Sequence, residues 1–272
     1  MTKLTKPPLP FRGNKYMWGG RLLPVLEATE GHAVYLDLFG GSGYISNLIK
    51  QHNPESKVIY NDFDNYTARL DKIPQTRAIH AELKELLHKV ARASSIKLQP
   101  KVFAALKKYI SALPEDADWI TVGNWLLFSG KYATGKTELI RMLTASCWNN
   151  LTKSPPTRDD YLTGVIRESG DWKKILAKYQ SCRELCVIAD PPYLYTDSTG
   201  YNSEISAAET IELFAGCLQR ESFLIFTTGR LDIIDLAMRI NPALQAQCGK
   251  LVRHSQINAK QTKQLSEICY YR

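Results

Sequence analysis

Ala33-Val34-Tyr35-Leu36-Asp37-Leu38-Phe39-Gly40-Gly41-Ser42-Gly43-Tyr44 is the stretch whose reading decides the fold. The apolar run 33–39 reads as a buried strand, because it is too continuous to leave one face in water. Gly40, Gly41, Ser42 and Gly43 follow as a turn, where missing side chains let the backbone pass close to another group. From Tyr44 to Lys50, Ile45, Leu48 and Ile49 recur at helical spacing. Strand, glycine turn and helix in that order open an α/β sheet of the kind that binds nucleotides. A bland glycine turn remains open at this point.

Two details narrow the reading. No Gly-Lys-Ser/Thr follows the glycines, so this is not a phosphate-binding P-loop. The third glycine of a dinucleotide fingerprint is also missing, which weakens a nicotinamide reading. Lys57-Val58-Ile59-Tyr60-Asn61-Asp62 then predicts a second strand ending in an acid about 20 residues beyond Gly43. An acid there bonds ribose hydroxyls in such folds. Asp64 is the rival.

Further along, Val187-Ile188-Ala189 leads into Asp190-Pro191-Pro192-Tyr193. The prolines cannot continue a ladder and hold the residues before them extended. A carboxylate, an unclaimed carbonyl and a flat ring are thereby presented at a strand's carboxyl end, where open α/β sheets bind ligands. A carboxylate and a carbonyl can each accept a hydrogen from an exocyclic nucleobase amine, and the ring can stack on the base. The plain alternative is a proline-stiffened turn with Tyr193 as packing.

Length and composition suit one large domain or a domain with an insertion: 272 residues, 44% of them hydrophobic. Lys and Arg number 35 against 27 acids, a net charge of +8 that favours a polyanionic partner. The six cysteines lack metal-site spacing, so a reduced cytoplasmic protein without zinc is expected. No signal peptide and no membrane span are expected.

Residues 7–24 read as a proline- and glycine-punctuated loop carrying Phe11, Lys15, Tyr16 and Trp18. Residues 78–92 and 101–113 predict helices, with apolar faces through Leu83, Leu86, Leu87 and Val90 and through Val102, Phe103, Leu106, Tyr109 and Ile110. Between Trp119 and Lys178, aromatic and basic residues interleave, a pattern suited to a DNA surface although many of the rings must be core. The stretch 130–136 predicts an exposed loop, with Lys131, Tyr132 and Lys136 as candidate DNA contacts. The polar loop 194–204, with Tyr201, is placed to close over a base. A helix at 206–219, a strand at 223–228, a helix at 231–240 and strands in the tail complete the expectations.

Taken together, five segments resemble the adenine-N6 DNA methyltransferases of the α group, the bacterial GATC-type methylases and their phage relatives. They are Phe11-Arg-Gly-Asn-Lys15; Asp37-Leu-Phe39-Gly40-Gly-Ser-Gly43; Asn61-Asp62-Phe63-Asp64; Asp190-Pro191-Pro192-Tyr193; and His254-Ser-Gln-Ile-Asn258 with the tail to Tyr270. Phe11 stands where that family usually has Trp, and Leu38 where it has Pro. The resemblance implies a Rossmann-like S-adenosylmethionine-dependent methyltransferase sheet built from 1–65 and 181–272, with a mostly helical inserted DNA-recognition region at 66–180. It implies that Asp37, Phe39, Gly40, Gly41, Ser42 and Gly43 cradle S-adenosylmethionine, with Asp62 on its ribose and Phe11 and Lys15 at its methionine end. It implies that Asp190 and the Pro191 carbonyl accept the adenine amine, with Pro192 shaping the segment and Tyr193 stacked on the flipped base. No metal is implied, the partner is double-stranded DNA, and the setting is the cytoplasm of a bacterial or phage-infected cell. Monomer and weak dimer both stay open. An RNA guanine-N2 methyltransferase, a DNA cytosine-N4 methyltransferase and a non-catalytic nucleic-acid binder are the alternatives, the last opposed by the intact Asp190.

Overall fold

A computed structural model describes residues 4–28, 34–128, 131, 133–193, 205–229, 233–256 and 264–272. The strands are β1 (Val34–Asp37), β2 (Lys57–Asn61), β3 (Ile166–Glu168), β4 (Leu185–Ala189), β5 (Ser222–Thr228), β6 (Gly249–Gln256) and β7 (Gln264–Tyr271). The helices are α1 (Gly19–Ala28), α2 (Tyr44–His52), α3 (Tyr66–Asp71), α4 (Ile73–Leu86), α5 (Pro100–Ala112), α6 (Trp119–Leu126), α7 (Lys136–Ala145), α8 (Trp172–Lys178), α9 (Ala207–Leu218), α10 (Ile233–Ile240) and α11 (Pro242–Ala246).

The strands form one seven-stranded sheet in the order β3-β2-β1-β4-β5-β7-β6. All pairings are parallel except those of β7, which runs antiparallel to both β5 and β6. The chain travels from β1 outward through β2 and β3, then returns to lay β4 on the other side of β1. The reversal of direction between β1 and β4 opens a crevice at the carboxyl ends of those two strands. This is the Rossmann-like sheet of the methyltransferase fold.

Alternation along the buried strands divides their side chains between two helical layers. Leu36, Val187, Ala189 and Ile225 pack with Trp172, Ile175, Leu213, Phe214, Ile234 and Met238. Tyr35, Val58, Ile188, Leu224 and Phe226 pack with Leu22, Val25 and Leu26 of α1 and Ile45, Leu48 and Ile49 of α2. The loop expected over 7–24 holds to Lys15 and is corrected beyond it, where a 3-10 turn over Tyr16–Trp18 leads into α1. Pro24 lies inside it on the exposed side, while Leu22, Val25 and Leu26 present one buried stripe. Burial of that stripe outweighs the hydrogen bond the proline cannot make.

The chain divides into two compact units. One comprises Met1–Pro7, Gly13–Tyr66 and Tyr161–Arg272; the other comprises Pro8–Arg12 and Thr67–Asp160. The helical unit packs Leu83, Leu106, Ile110, Val122, Trp125, Leu126, Leu139 and Leu143 into its own core. Within it, Arg69 clamps Asp118 through Nε (3.0 Å) and donates to the Pro10 carbonyl (3.0 Å). The division differs from the expected insert of 66–180, because residues 161–180 belong to the sheet unit. There β3 pairs with β2 (Tyr60 opposite Arg167), and the Tyr161 hydroxyl donates to the Ser42 carbonyl at 2.8 Å. A three-residue edge strand with Ile166 43% exposed has too little periodicity to read from sequence.

Candidate active site

Parallel pairing of β1 with β4 sets the site. Asp37 lies opposite Ile188, and Leu38 N–H donates to the Ile188 carbonyl at 2.9 Å. The glycine turn and the Asp190 segment therefore leave neighbouring strand ends side by side. Gly43 N–H donates back to the Gly40 carbonyl (2.7 Å), and Gly43 (φ +70°) and Gly41 (φ +51°) take the left-handed backbone that closes the turn into α2. Gly40 lies flat on Tyr60, whose ring atoms a Cβ would meet at 2.1 Å. The Tyr60 hydroxyl donates to the Gly41 carbonyl at 2.7 Å. The turn is thus held from beneath by buried tyrosines at 60 and 161. Asn61 ties it to β3's continuation by donating to the carbonyls of Leu38 (2.9 Å) and Gly170 (3.0 Å).

Two carboxylates stand at these strand ends, Asp37 buried and Asp190 half-buried. Asp37 accepts from the Ser46 hydroxyl of α2 at 2.7 Å. Burial pushes its carboxyl up to about 7, opposed by the Ser46 hydrogen bond and reinforced by the charge of Asp190. Asp190 Oδ2 lies 2.5 Å from Lys15 Nζ, and its Oδ1 accepts from the Tyr193 hydroxyl at 3.2 Å. Burial also raises the Asp190 carboxyl above the usual carboxylate range, while the Lys15 ammonium pulls it back. Lys15 is itself 5% exposed. Its Nζ donates to the Gly13 carbonyl (3.1 Å) and lies over the rings of Tyr193 (5.4 Å) and Phe226 (5.3 Å). Lys15 therefore sits in a cage of one carboxylate, one carbonyl and two aromatic faces. Trp18 packs edge-on to Phe226 (5.3 Å), and its indole N–H donates to Glu267 (3.2 Å) on β7, which also holds Arg253 (2.6 Å).

The other expected site residues fall as follows. Pro191 is buried and Pro192 half-buried. Phe39 is partly buried against Trp172, with ring centroids 6.2 Å apart. Ser42 is buried beneath Tyr161. Asp62 is 0% exposed: it accepts from Tyr66 N–H (2.6 Å) and the Tyr60 hydroxyl (3.0 Å) and pairs with Arg167 (2.9 Å). Its carboxylate organises the start of α3, and Asp64 beside it is half-buried. Phe11 falls in the helical unit and Lys15 in the sheet unit.

Among the DNA candidates, Lys131 is exposed. Lys136 is not the free loop lysine expected. It begins α7 and is tied down by the Leu113 carbonyl (2.7 Å) and Glu115 (3.0 Å). Tyr132 and Tyr201 lie outside the described residues. Trp119, Trp125 and Trp172 are core. Sequence reasoning missed Ser46, Asn61, Phe226 and Arg167. Ser46, one turn into α2 on the side facing Asp37, left a faint signal in its helical spacing; the other three meet the site only through pairing across the sheet. Among the described residues no cluster of three metal-ligating side chains occurs, and no helix is long and apolar enough to cross a membrane.

A switch-point crevice with a glycine turn, an acid at each strand end and an antiparallel β7 defines the class as an α/β protein of Rossmann-like methyltransferase fold. A Haemophilus influenzae protein named "Putative methyltransferase" is 32% identical to this chain over 200 residues, 71% of the chain. The matched stretch spans 66% of that relative, just under two thirds of its length. No protein-family model matches the chain.

Proposed function

We propose that this protein transfers a methyl group from S-adenosylmethionine to the N6 amine of adenine in duplex DNA. The observation that carries the reading is the convergence of Asp37 and Asp190 at neighbouring strand ends beside the glycine turn. The Asp190 carboxylate offsets the Lys15 ammonium, and Asp37, its carboxyl pushed up to about 7, can add a further negative charge, which suits a cationic sulfonium cofactor. When bound there, the cofactor supplies an activated methyl group. Asp37, Phe39 and the turn 40–43 are the residues to hold it. Asp62 is already committed to Tyr60, Tyr66 and Arg167 and fits a supporting role better than a direct ribose contact.

The chain's own groups act on the amine. Asp190 accepts one of its hydrogens, and the Pro191 carbonyl, which follows on an extended backbone, accepts the other. This directs the nitrogen lone pair toward the crevice. Tyr193, oriented by its hydroxyl on Asp190, offers a ring face for the base. Reaction then depends on positioning and on the fixed charge of Asp190. The net charge of +8 and the exposed Lys131 support a polyanionic substrate.

The test is incubation with methyl-labelled cofactor and either unmethylated duplex DNA or RNA, followed by digestion to nucleosides. Label on N6-methyladenosine from DNA is expected. Label only on RNA guanine or only on cytosine overturns the assignment. Asp190→Ala should keep cofactor binding and lose transfer.

A further inference from the structure

We propose that Lys15 is the resident counter-ion of Asp190 and a positioning residue for the amine, holding the carboxylate ionised and then yielding Oδ2 to the incoming nucleobase N–H. The exchange half of this inference rests on the proposed amine-methylating function; the counter-ion half does not. An ammonium and an aromatic amine are both N–H donors, and Lys15 Nζ stands 2.5 Å from the oxygen such an amine would need. Asp190 Oδ1 is already engaged by Tyr193. An arriving amine must therefore take Oδ2 from Lys15 or share it.

The cage explains why the lysine rests there. Asp190 keeps 18% of its side chain exposed, Lys15 only 5%, and both lie in surroundings that penalise a lone charge. The Tyr193 and Phe226 ring faces stabilise the cation, and Trp18 and Glu267 fix Phe226 in place. Among the described residues, the charged and titratable groups facing Asp190 are Lys15 from the N-terminal arm, Tyr193 from its own segment, Asp37 from β1, and Glu267 and Cys269 from β7. Of these, Lys15 alone brings positive charge. The acids oppose ionisation, so the burden of keeping Asp190 charged falls on the lysine. The same arrangement favours release. A flat base entering over the Tyr193 face that the ammonium uses would take one wall of the cage together with Oδ2, leaving Lys15 the Gly13 carbonyl and the Phe226 ring.

The experiment follows the Asp190 carboxyl by 13C NMR in aspartate-labelled protein, with the resonance assigned by Asp190→Asn. In Lys15→Met the titration midpoint should rise by roughly one to three pH units, the effect of removing an opposite charge at close range. Lys15→Arg should restore it. Lys15→Gln serves as the second neutral variant, and circular dichroism verifies the fold. A midpoint unchanged in a folded neutral variant overturns the counter-ion role. For the exchange, steady-state methylation of unmethylated duplex DNA is measured above the shifted midpoint. There Lys15→Met should lower KM, and Lys15→Arg should restore it. An unchanged or raised KM overturns the exchange. If the parent protein methylates no DNA, the proposed function fails, and the carboxyl titration still decides the counter-ion role.

Discussion

Asp37→Asn should flatten the pH dependence of stability. The Asp37 carboxyl is 2% exposed and titrates near 7 in the folded chain, against 3.8 for an unburied carboxyl. That is a rise of roughly three pH units, each worth about 1.4 kcal/mol, or about 4 kcal/mol in all. A raised folded pKa means that the folded state holds its proton longer than the unfolded one. The group's contribution is therefore complete below about pH 4 and is lost as pH climbs through about 7. Asparagine keeps an oxygen for the Ser46 hydroxyl but has no charge to bury. Urea unfolding at half-unit pH intervals from 4 to 8 measures the effect. The stability of the parent minus that of Asp37→Asn should fall by about 4 kcal/mol across this range. Asp190 is one of the causes of the shift, so Asp190→Asn should move the window toward lower pH. A difference that stays constant with pH refutes the reasoning, because it would mean that the carboxylate is solvated or already paired.

Gly40→Ala places a Cβ 2.1 Å from a Tyr60 ring that is pinned by its hydroxyl, and should cost at least about 1–3 kcal/mol; an unchanged melting temperature refutes the close approach. Asp62→Asn should cost about 1–3 kcal/mol through the hydrogen bonds to Tyr66 and Tyr60, with little from the half-exposed Arg167. Unchanged stability with lost cofactor affinity would return Asp62 to the ribose. Duplex DNA binding should weaken steeply with salt, and Lys131→Ala should reduce the log–log slope by about 0.9 if that lysine meets one phosphate. Lys136→Ala should instead lower the melting temperature, since its ammonium bonds Leu113 and Glu115; a lost salt slope with intact stability would reverse these roles.

The sheet's centre was readable because β1, β2, β4 and β5 are buried on both faces, which turns them into continuous apolar runs bounded by glycine, acid or proline. The same signals placed Asp37 and Asp190 at strand ends before any contact was known. Where local and tertiary preferences competed, the sequence misled. Pro24 reads as a breaker, yet α1 forms because Leu22, Val25 and Leu26 find a core beneath them. Residues 161–180 read as insert, because the three residues of β3 signal nothing until Asn61 and Tyr60 pair with them.

By itself the sequence determined the fold class and the two acids, since burial and backbone chemistry are written locally as runs, glycines and prolines. Only the tertiary structure decided which charges meet. Lys15 reaches Asp190 across 175 positions, Asp62 pairs with Arg167, and Lys136 pairs with Glu115. Such pairings depend on sheet order and packing, which bring together groups whose spacing along the chain holds no trace of their distance in space.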